Sequence, residues 1–311
     1  LAMKLTVLYR GPLSSCNYGC EYCPFGKWKH TDEELAKDRA DLERFVAWVE
    51  ARTQDTVSVF FTPWGEALIW PWYQEALARL SHLPHVERLA IQTNLSCKLD
   101  WVAQARADKL GIWATYHPEW TKRHRFVAQC AKLTELGVRH SVGVVGFLRF
   151  TEEAEALRAE LPADTYLWIN AVKDGQEEPY TTEDVARFTR LDPLFPVNNT
   201  RHPSLGRACR GGESVISVDG EGTARRCHFI DEAIGNIYAP DFDSALRPRP
   251  CSKQTCGCHI GYVHLEYLEL DRVFGSGILE RVPATPLWKG ALGKGVSGAV
   301  PGSVRYDRHG S

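Results

Sequence analysis

Methionine is nearly missing from this chain: Met3 is the only one among 311 residues. Long apolar runs are missing altogether. No stretch reaches the roughly 18 uninterrupted apolar residues of a membrane-spanning helix, and the N-terminus (Leu1, Ala2, Met3, Lys4) lacks the charged, apolar and small-residue sectors of a signal peptide. We therefore expect a cytoplasmic protein with no membrane partner, Leu1 and Ala2 being an extension upstream of a start at Met3. Neither sign of charge dominates. With 37 basic against 39 acidic side chains and a formal net charge of -2, the chain has no basic stripe for a phosphate backbone. That excludes a nucleic-acid polymer as partner and leaves a nucleoside open as substrate. At 44% hydrophobic residues the chain is not disordered, and it contains no internal repeat or low-complexity tract.

Cysteine, by contrast, is plentiful. A reducing compartment keeps the ten cysteines as thiols, which favours metal binding or catalysis over disulfides. They are clumped. Cys16, Cys20 and Cys23 stand near the start, while Cys209, Cys227, Cys251, Cys256 and Cys258 crowd a later stretch. Cys130 falls inside a helical pattern and reads as a small buried apolar residue. Cys97 reads as a packed thiol or, alternatively, as a catalytic one facing substrate.

From residue 4 to residue 189 short β-rich runs alternate with longer helical ones. Leu5–Tyr9, Val57–Phe61, Arg88–Gln92, Ile112–Tyr116, Arg139–Val145 and Tyr166–Ala171 read as buried strands. Asp32–Arg52, Trp72–Ser81, Trp101–Lys109, Arg125–Leu136, Glu152–Glu160 and Glu183–Thr189 read as helices, the first opened by Thr31 and Glu34 as a capping box. This alternation predicts an α/β fold, a partial (β/α)6 barrel of parallel strands with functional residues at the strands' C-terminal ends. The segments there are polar: Cys16 to Cys23, Trp64-Gly65-Glu66, Thr93-Asn94-Leu95-Ser96-Cys97, His117-Pro118, Gly143 to Gly146, and Asn170. Asp192-Pro193, Pro196 and Pro203 mark a linker, and Ser214–Val218 with Thr223–Cys227 read as a β-hairpin. The expected organisation is a barrel over 4–190, a small hairpin-containing unit over 191–270 and a loosely packed C-terminal tail over 271–311.

Three thiols in one loop can hold three irons of a 4Fe-4S cubane and leave the fourth iron open. A closed zinc site needs four ligands, so zinc there requires a distant fourth such as His30. The stretch Cys16-Asn17-Tyr18-Gly19-Cys20-Glu21-Tyr22-Cys23 resembles the cluster motif of the radical S-adenosylmethionine (SAM) superfamily, down to the aromatic before the last cysteine. The resemblance implies a 4Fe-4S cluster on Cys16, Cys20 and Cys23 with SAM on its open iron. It further implies reductive cleavage of SAM to methionine and a hydrogen-abstracting 5′-deoxyadenosyl radical, fed by an electron donor such as flavodoxin or ferredoxin. Gly65 and Glu66 would receive the SAM ammonium, although Trp64 stands where the family has its first glycine. Val145, within Gly143 to Gly146, would meet the adenine, and Tyr22, Thr93, Asn94, Thr115 and Asn170 would line SAM or substrate. His117 is a candidate general acid or base, or else a structural turn with Pro118.

Cys209 and Cys227 bracket the hairpin, whose ends lie together, so both can face one metal. With Gly222 five positions before Cys227, this resembles the opening of the SPASM and twitch auxiliary domains, and the cysteine count fits the one-cluster twitch form. The resemblance implies a second, auxiliary 4Fe-4S cluster on four of Cys209, Cys227, Cys251, Cys256 and Cys258; zinc on four thiols is the alternative. No wing precedes the first strand and polar groups line the loops, which favours a small-molecule substrate, sugar- or nucleoside-like. The chain also resembles a bacterial radical SAM subfamily of natural-product biosynthesis. Sulfur insertion with the auxiliary cluster as donor, peptide maturation, and a non-catalytic zinc-binding module are the alternatives.

Overall fold

The computed structural model describes residues 2–26, 28–173, 175 and 179–287. Six strands follow one another across a parallel sheet: β1 (Lys4–Arg10), β2 (Thr56–Phe61), β3 (Val86–Thr93), β4 (Leu110–Tyr116), β5 (Arg139–Val145) and β6 (Leu167–Asn170). The helices between and after them are α1 (Asp32–Ala51), α2 (Pro71–Ser81), α3 (Arg123–Glu135), α4 (Thr151–Glu160) and α5 (Thr182–Leu191). Thr31 and Glu34 form the expected capping box, and Thr181 with Asp184 form a second one that opens α5. One expected helix is absent: Trp101–Lys109 forms two short 3-10 turns, Asp100–Gln104 and Ala107–Lys109. The Arg106 amide between them donates to the Ser81 hydroxyl rather than to an upstream carbonyl (2.9 Å), which interrupts the helical ladder.

After α6 (Phe195–Asn198) and the two-residue strand β7 (His202–Pro203) comes the hairpin of β8 (Val215–Asp219) and β9 (Thr223–Arg225), then β10 (Ala233–Asn236). The hairpin is not free-standing. β8 pairs in parallel with β1, from Thr6 opposite Val215 to Arg10 opposite Asp219, so one open nine-stranded sheet runs β10-β9-β8-β1-β2-β3-β4-β5-β6. The chain closes with β11 (Thr255–Cys256), paired with β7, and the short helices α7 (His259–Tyr262) and α8 (Leu270–Phe274).

Both faces of the sheet are covered, which is why its central strands read as almost continuous apolar runs. Val7, Val59, Ile91, Ile112, Val142 and Ile169 pack outward against the helices. Leu8, Phe60, Ala90, Trp113 and Trp168 face inward and are sealed by Ile260, Tyr262, Leu265, Leu270, Phe274 and Leu279. Two residues further along each strand the inward positions become Arg10, Thr62, Gln92, Thr115 and Asn170. The inner face is thus apolar deep in the partial barrel and polar at its C-terminal rim.

The expectation of loose packing after residue 271 fails for the described part; residues 288–311 lie outside the described residues. Glu280 is buried against Gly111, where a Cβ would stand 2.7 Å from the Glu280 Cβ, and it pairs with Arg139 at 2.5 Å. Its backbone carbonyl accepts the Ser141 hydroxyl. The segment plugs the barrel at the N-terminal ends of β3, β4 and β5. Nearby, buried Asp192 accepts hydrogen bonds from the Tyr166 hydroxyl (2.7 Å) and the Ile169 and Leu194 amides (2.9 Å each), tying α5 to β6. Asp192→Ala strands three buried donors, and we expect a loss of about 3 kcal/mol, read as a lower urea midpoint at unchanged slope.

Candidate active site

The cysteine loop leaves the C-terminal end of β1, and its three thiols are electrostatic neighbours. Cys20 is buried, while Cys16 and Cys23 are half-buried. Burial pushes the Cys16 thiol up to about 11 and Cys20 upward as well. The loop is short of regular structure, and its neighbours hold it. The Cys16 sulfur accepts the Tyr18 amide at 3.4 Å and the Asn94 side-chain amide at 3.8 Å. Asn94 also donates to the Asn17 side chain (3.0 Å), which donates in turn to Ser96 (2.9 Å). His30 is engaged by the Ser14 amide (2.8 Å) and lies beside Glu34, not with the thiols.

Gly65 and Glu66 hold this network from the end of β2. A Cβ on Gly65 would stand 1.8 Å from the Ser15 carbonyl oxygen, so only glycine admits the cysteine loop there. The Glu66 amide donates to that same carbonyl at 3.0 Å. The Glu66 carboxylate turns inward and accepts the Leu68 amide (3.0 Å), the Thr93 hydroxyl (2.8 Å) and the Asn94 amide (2.5 Å). Burial pushes Glu66 up to about 7 against the downward pull of those donors. Its carboxylate oxygens are thus engaged within the protein, and with Thr93 it positions Asn94.

On the opposite wall the Tyr22 hydroxyl meets His117 Nδ1 at 2.7 Å, with the Cys20 sulfur 3.4 Å from the same nitrogen. Burial lowers His117 to about 4, so the ring is neutral near pH 7. Tyr22 packs on Phe147 and Phe150, and Tyr18 stacks on Trp120. Thr115 and Val145 are half-exposed and Asn170 is exposed at the rim of the inner face. Two open readings are decided: the catalytic alternative for Cys97 is dropped, and Gly143 has a packing reason. Cys97 lies in the outer hydrophobic core, where burial raises its thiol to about 12, so it packs and does not face the rim. Gly143 is glycine because the Trp168 ring crosses it: a Cβ would stand 2.0 Å from that ring. Cys130 is buried within α3, as expected.

The second set of thiols sorts itself. A cavity behind β8 is lined by Cys209, Cys227, Cys251 and Cys256, with Arg226 and His264 beside them. Gly261 closes it from α7, and a Cβ there would stand 2.7 Å from the Cys256 sulfur. Cys256 is pushed up to about 12 by burial and by the other later cysteines. The His264 Nδ1 atom is buried without a hydrogen-bond partner. Cys258 does not line this cavity. It is solvent-accessible and follows Gly257, whose carbonyl accepts the Lys173 ammonium at 2.5 Å.

Among the described residues, no three His, Cys, Asp or Glu side chains gather tightly enough to hold a metal ion. A cubane presents a separate iron to each thiolate and so spreads its ligands wider than one ion does. The donor sets suit such a group, because each brings several soft sulfur ligands to one place, three from one loop and four around one cavity. The sequence reading missed Arg10, Thr62, Lys173 and His228 on the inner rim. The two-residue strand period from Leu8 and Phe60 was the signal for the first two.

No family model and no curated protein matches this sequence. Solved structures do. Native anSMEcpe with bound AdoMet and Cp18Cys peptide matches with a TM-score of 0.50 at 14% identity, over 78% of this chain and 82% of that one. Native anSMEcpe with bound AdoMet alone gives 0.49 at 14%, over 78% and 83%. BtrN in complex with AdoMet and 2-DOIA gives 0.35 at 16%, over 78% and 86%. At 14% identity this likeness is one of fold: the chain shares with the AdoMet-bound structure a mixed α/β architecture around a mostly parallel sheet, with which a partial barrel is compatible. Among the described residues no helix is long and apolar enough to cross a membrane.

Glu66→Gln sets an amide donor against the Asn94 amide. We expect a loss of about 2 kcal/mol in the urea midpoint and faster hydrogen exchange at the Asn94 amide.

Proposed function

We propose that the chain is a radical SAM enzyme acting on a small molecule, with its first 4Fe-4S cluster on Cys16, Cys20 and Cys23. The observation that carries this reading is the three-thiol loop at the end of β1, tied through Asn17, Asn94 and Glu66 to the ends of β2 and β3 in a radical SAM fold. When bound, the cluster supplies the electron that cleaves SAM to methionine and the 5′-deoxyadenosyl radical. The chain's own groups bind and orient. Asn94 and Asn17 steady the Cys16 side of the loop, Tyr22 and neutral His117 wall the Cys20 side, and Thr115, Val145 and Asn170 face the space between for SAM and substrate. Glu66 is a positioning residue, and its backbone with Gly65 carries the likeness to the family's SAM-ammonium motif. Reduction requires an external donor of the flavodoxin or ferredoxin kind.

Cys209, Cys227, Cys251 and Cys256 would hold the auxiliary 4Fe-4S cluster. Four thiols for four irons leave no iron open, which supports electron transfer or a structural role over sulfur donation. A peptide substrate is the second reading, because the anSMEcpe structure with a TM-score of 0.50 holds one.

Anaerobic reconstitution should load about eight irons per chain, two clusters of four. Cys16/Cys20/Cys23→Ala and Cys256→Ala should each retain about four, and Cys258→Ala about eight. With SAM and dithionite the parent should release 5′-deoxyadenosine, and the triple variant none. A colourless protein that binds zinc at both sites and leaves SAM intact would sink the reading.

A further inference from the structure

Two buried side chains stitch the later thiols together, and each keeps a polar atom without a hydrogen-bond partner among the described residues. Arg226 stands directly before Cys227, and its Nη1 donates to the carbonyl of Pro250, which stands directly before Cys251. One guanidinium thus ties two of the four thiol-bearing segments, and its Nη2 is buried and unpartnered. His264 ties the other two. Its amide donates to the Gly261 carbonyl at 3.1 Å, and Gly261 is the glycine that abuts the Cys256 sulfur. Its carbonyl accepts the amide of Arg210, next to Cys209, at 3.1 Å, and Leu265 beside it bridges Cys209. The imidazole is therefore carried on a fixed backbone, with Nδ1 buried and unpartnered. Arg226 and His264 are each 5% exposed, so solvent does little for either.

Both side chains line the cavity of Cys209, Cys227, Cys251 and Cys256, and among the described residues no carboxylate lines it. The Gly211 amide already donates to the Cys209 sulfur at 3.4 Å. A guanidinium has donors only, so a buried Nη2 is satisfied only by an electron-rich partner. Leaving such a donor unpaired costs more than an ordinary hydrogen bond gains. Four thiolates outweigh the positive charge of a cubane core, so the 4Fe-4S cluster they ligate is an anion whose sulfurs accept hydrogen bonds. One electron from a donor of the flavodoxin or ferredoxin kind deepens that negative charge, with no bond broken and no proton moved. A buried cation and a hydrogen-bond donor at the sulfurs consequently stabilise the reduced cluster more than the oxidised one.

We infer that Arg226 and His264 donate hydrogen bonds to the sulfur atoms of the auxiliary cluster and raise its reduction potential. The inference rests on the auxiliary-cluster reading and deepens it, because electron transfer depends on a tuned potential whereas a purely structural cluster does not. Neither residue is a ligand to iron. Each acts on the cluster's charge from the wall of the cavity while its backbone keeps two ligand segments in register.

The test is an EPR-monitored redox titration of the reconstituted full chain carrying Cys16/Cys20/Cys23→Ala, which leaves the auxiliary cluster alone, beside the same chain with His264→Phe or Arg226→Met. We expect each to keep about four irons and to lose about tenfold in the reduction equilibrium, a midpoint lower by about 59 mV for one electron. His264→Gln, which keeps an N–H, and Arg226→Lys, which keeps the charge, should each recover most of that shift. A general loss of packing would not be reversed in this way. Unchanged midpoints with the iron retained overturn the inference and leave the auxiliary cluster standing. Iron lost from both His264→Phe and His264→Gln also overturns it, because the imidazole would then be a ligand. If His264→Phe alone loses iron, the Arg226→Met midpoint decides, a lowered value supporting the inference and an unchanged one overturning it. Zinc, or no metal, on the four thiols of the starting chain removes the auxiliary cluster itself, and the inference falls with it.

Discussion

A loop rich in thiols and poor in regular structure cannot place itself, and the buried carboxylate of Glu66 is what places this one. Its amide reaches the Ser15 carbonyl at the loop's start, and its two oxygens take donors from the end of β2 and the end of β3. Three hydrogen bonds to a charged acceptor, each worth about 1.5–3 kcal/mol, offset only part of the desolvation, which leaves the carboxyl raised to about 7. Gly65 makes the contact possible, since any side chain there would collide with Ser15. Asn94, oriented by Glu66, then reaches Asn17 and the Cys16 sulfur. The position of the first thiol therefore depends on a carboxylate fifty residues downstream, and chemistry at the rim depends on core electrostatics.

The segment after residue 191 serves the barrel in two ways. It donates β8 to the sheet edge beside β1, which brings the cavity of Cys209, Cys227, Cys251 and Cys256 behind the strand that leads into the cysteine loop. It also supplies the apolar lid that covers Leu8, Phe60, Trp113 and Trp168. An inner face lined by two tryptophans and a phenylalanine is unstable in water. The segment after residue 191 and the barrel are consequently parts of one packing problem, and Glu280 and Arg281 complete it from below.

Much of this was legible in the amino-acid sequence. Strands buried on both faces show as compact Val, Ile and aromatic runs, so the order of β1 to β6 and the rim position of Cys16 to Cys23 could be read directly. Capping at Thr31 is a local hydrogen-bond exchange and is equally visible. Trp101–Lys109 misled because its apolar spacing suits a helix, while the Ser81 hydroxyl that interrupts it is far away in sequence. Cys97 stayed open between packing and a substrate-facing role because a residue four positions past a strand end can turn either to the rim or to the helices. Gly143 is likewise fixed from outside its own strand, since a tryptophan on the neighbouring strand demands it.

The sequence by itself determined the fold class, the three-thiol loop and the presence of a second thiol group, because these follow from local periodicity and short spacings. Only the tertiary structure decided which four later cysteines share a cavity and that Glu66 is turned inward. Those relations join residues tens of positions apart in the chain. Their physical cause is long-range packing: the curvature of the sheet and the lid that seals it choose which side chains meet.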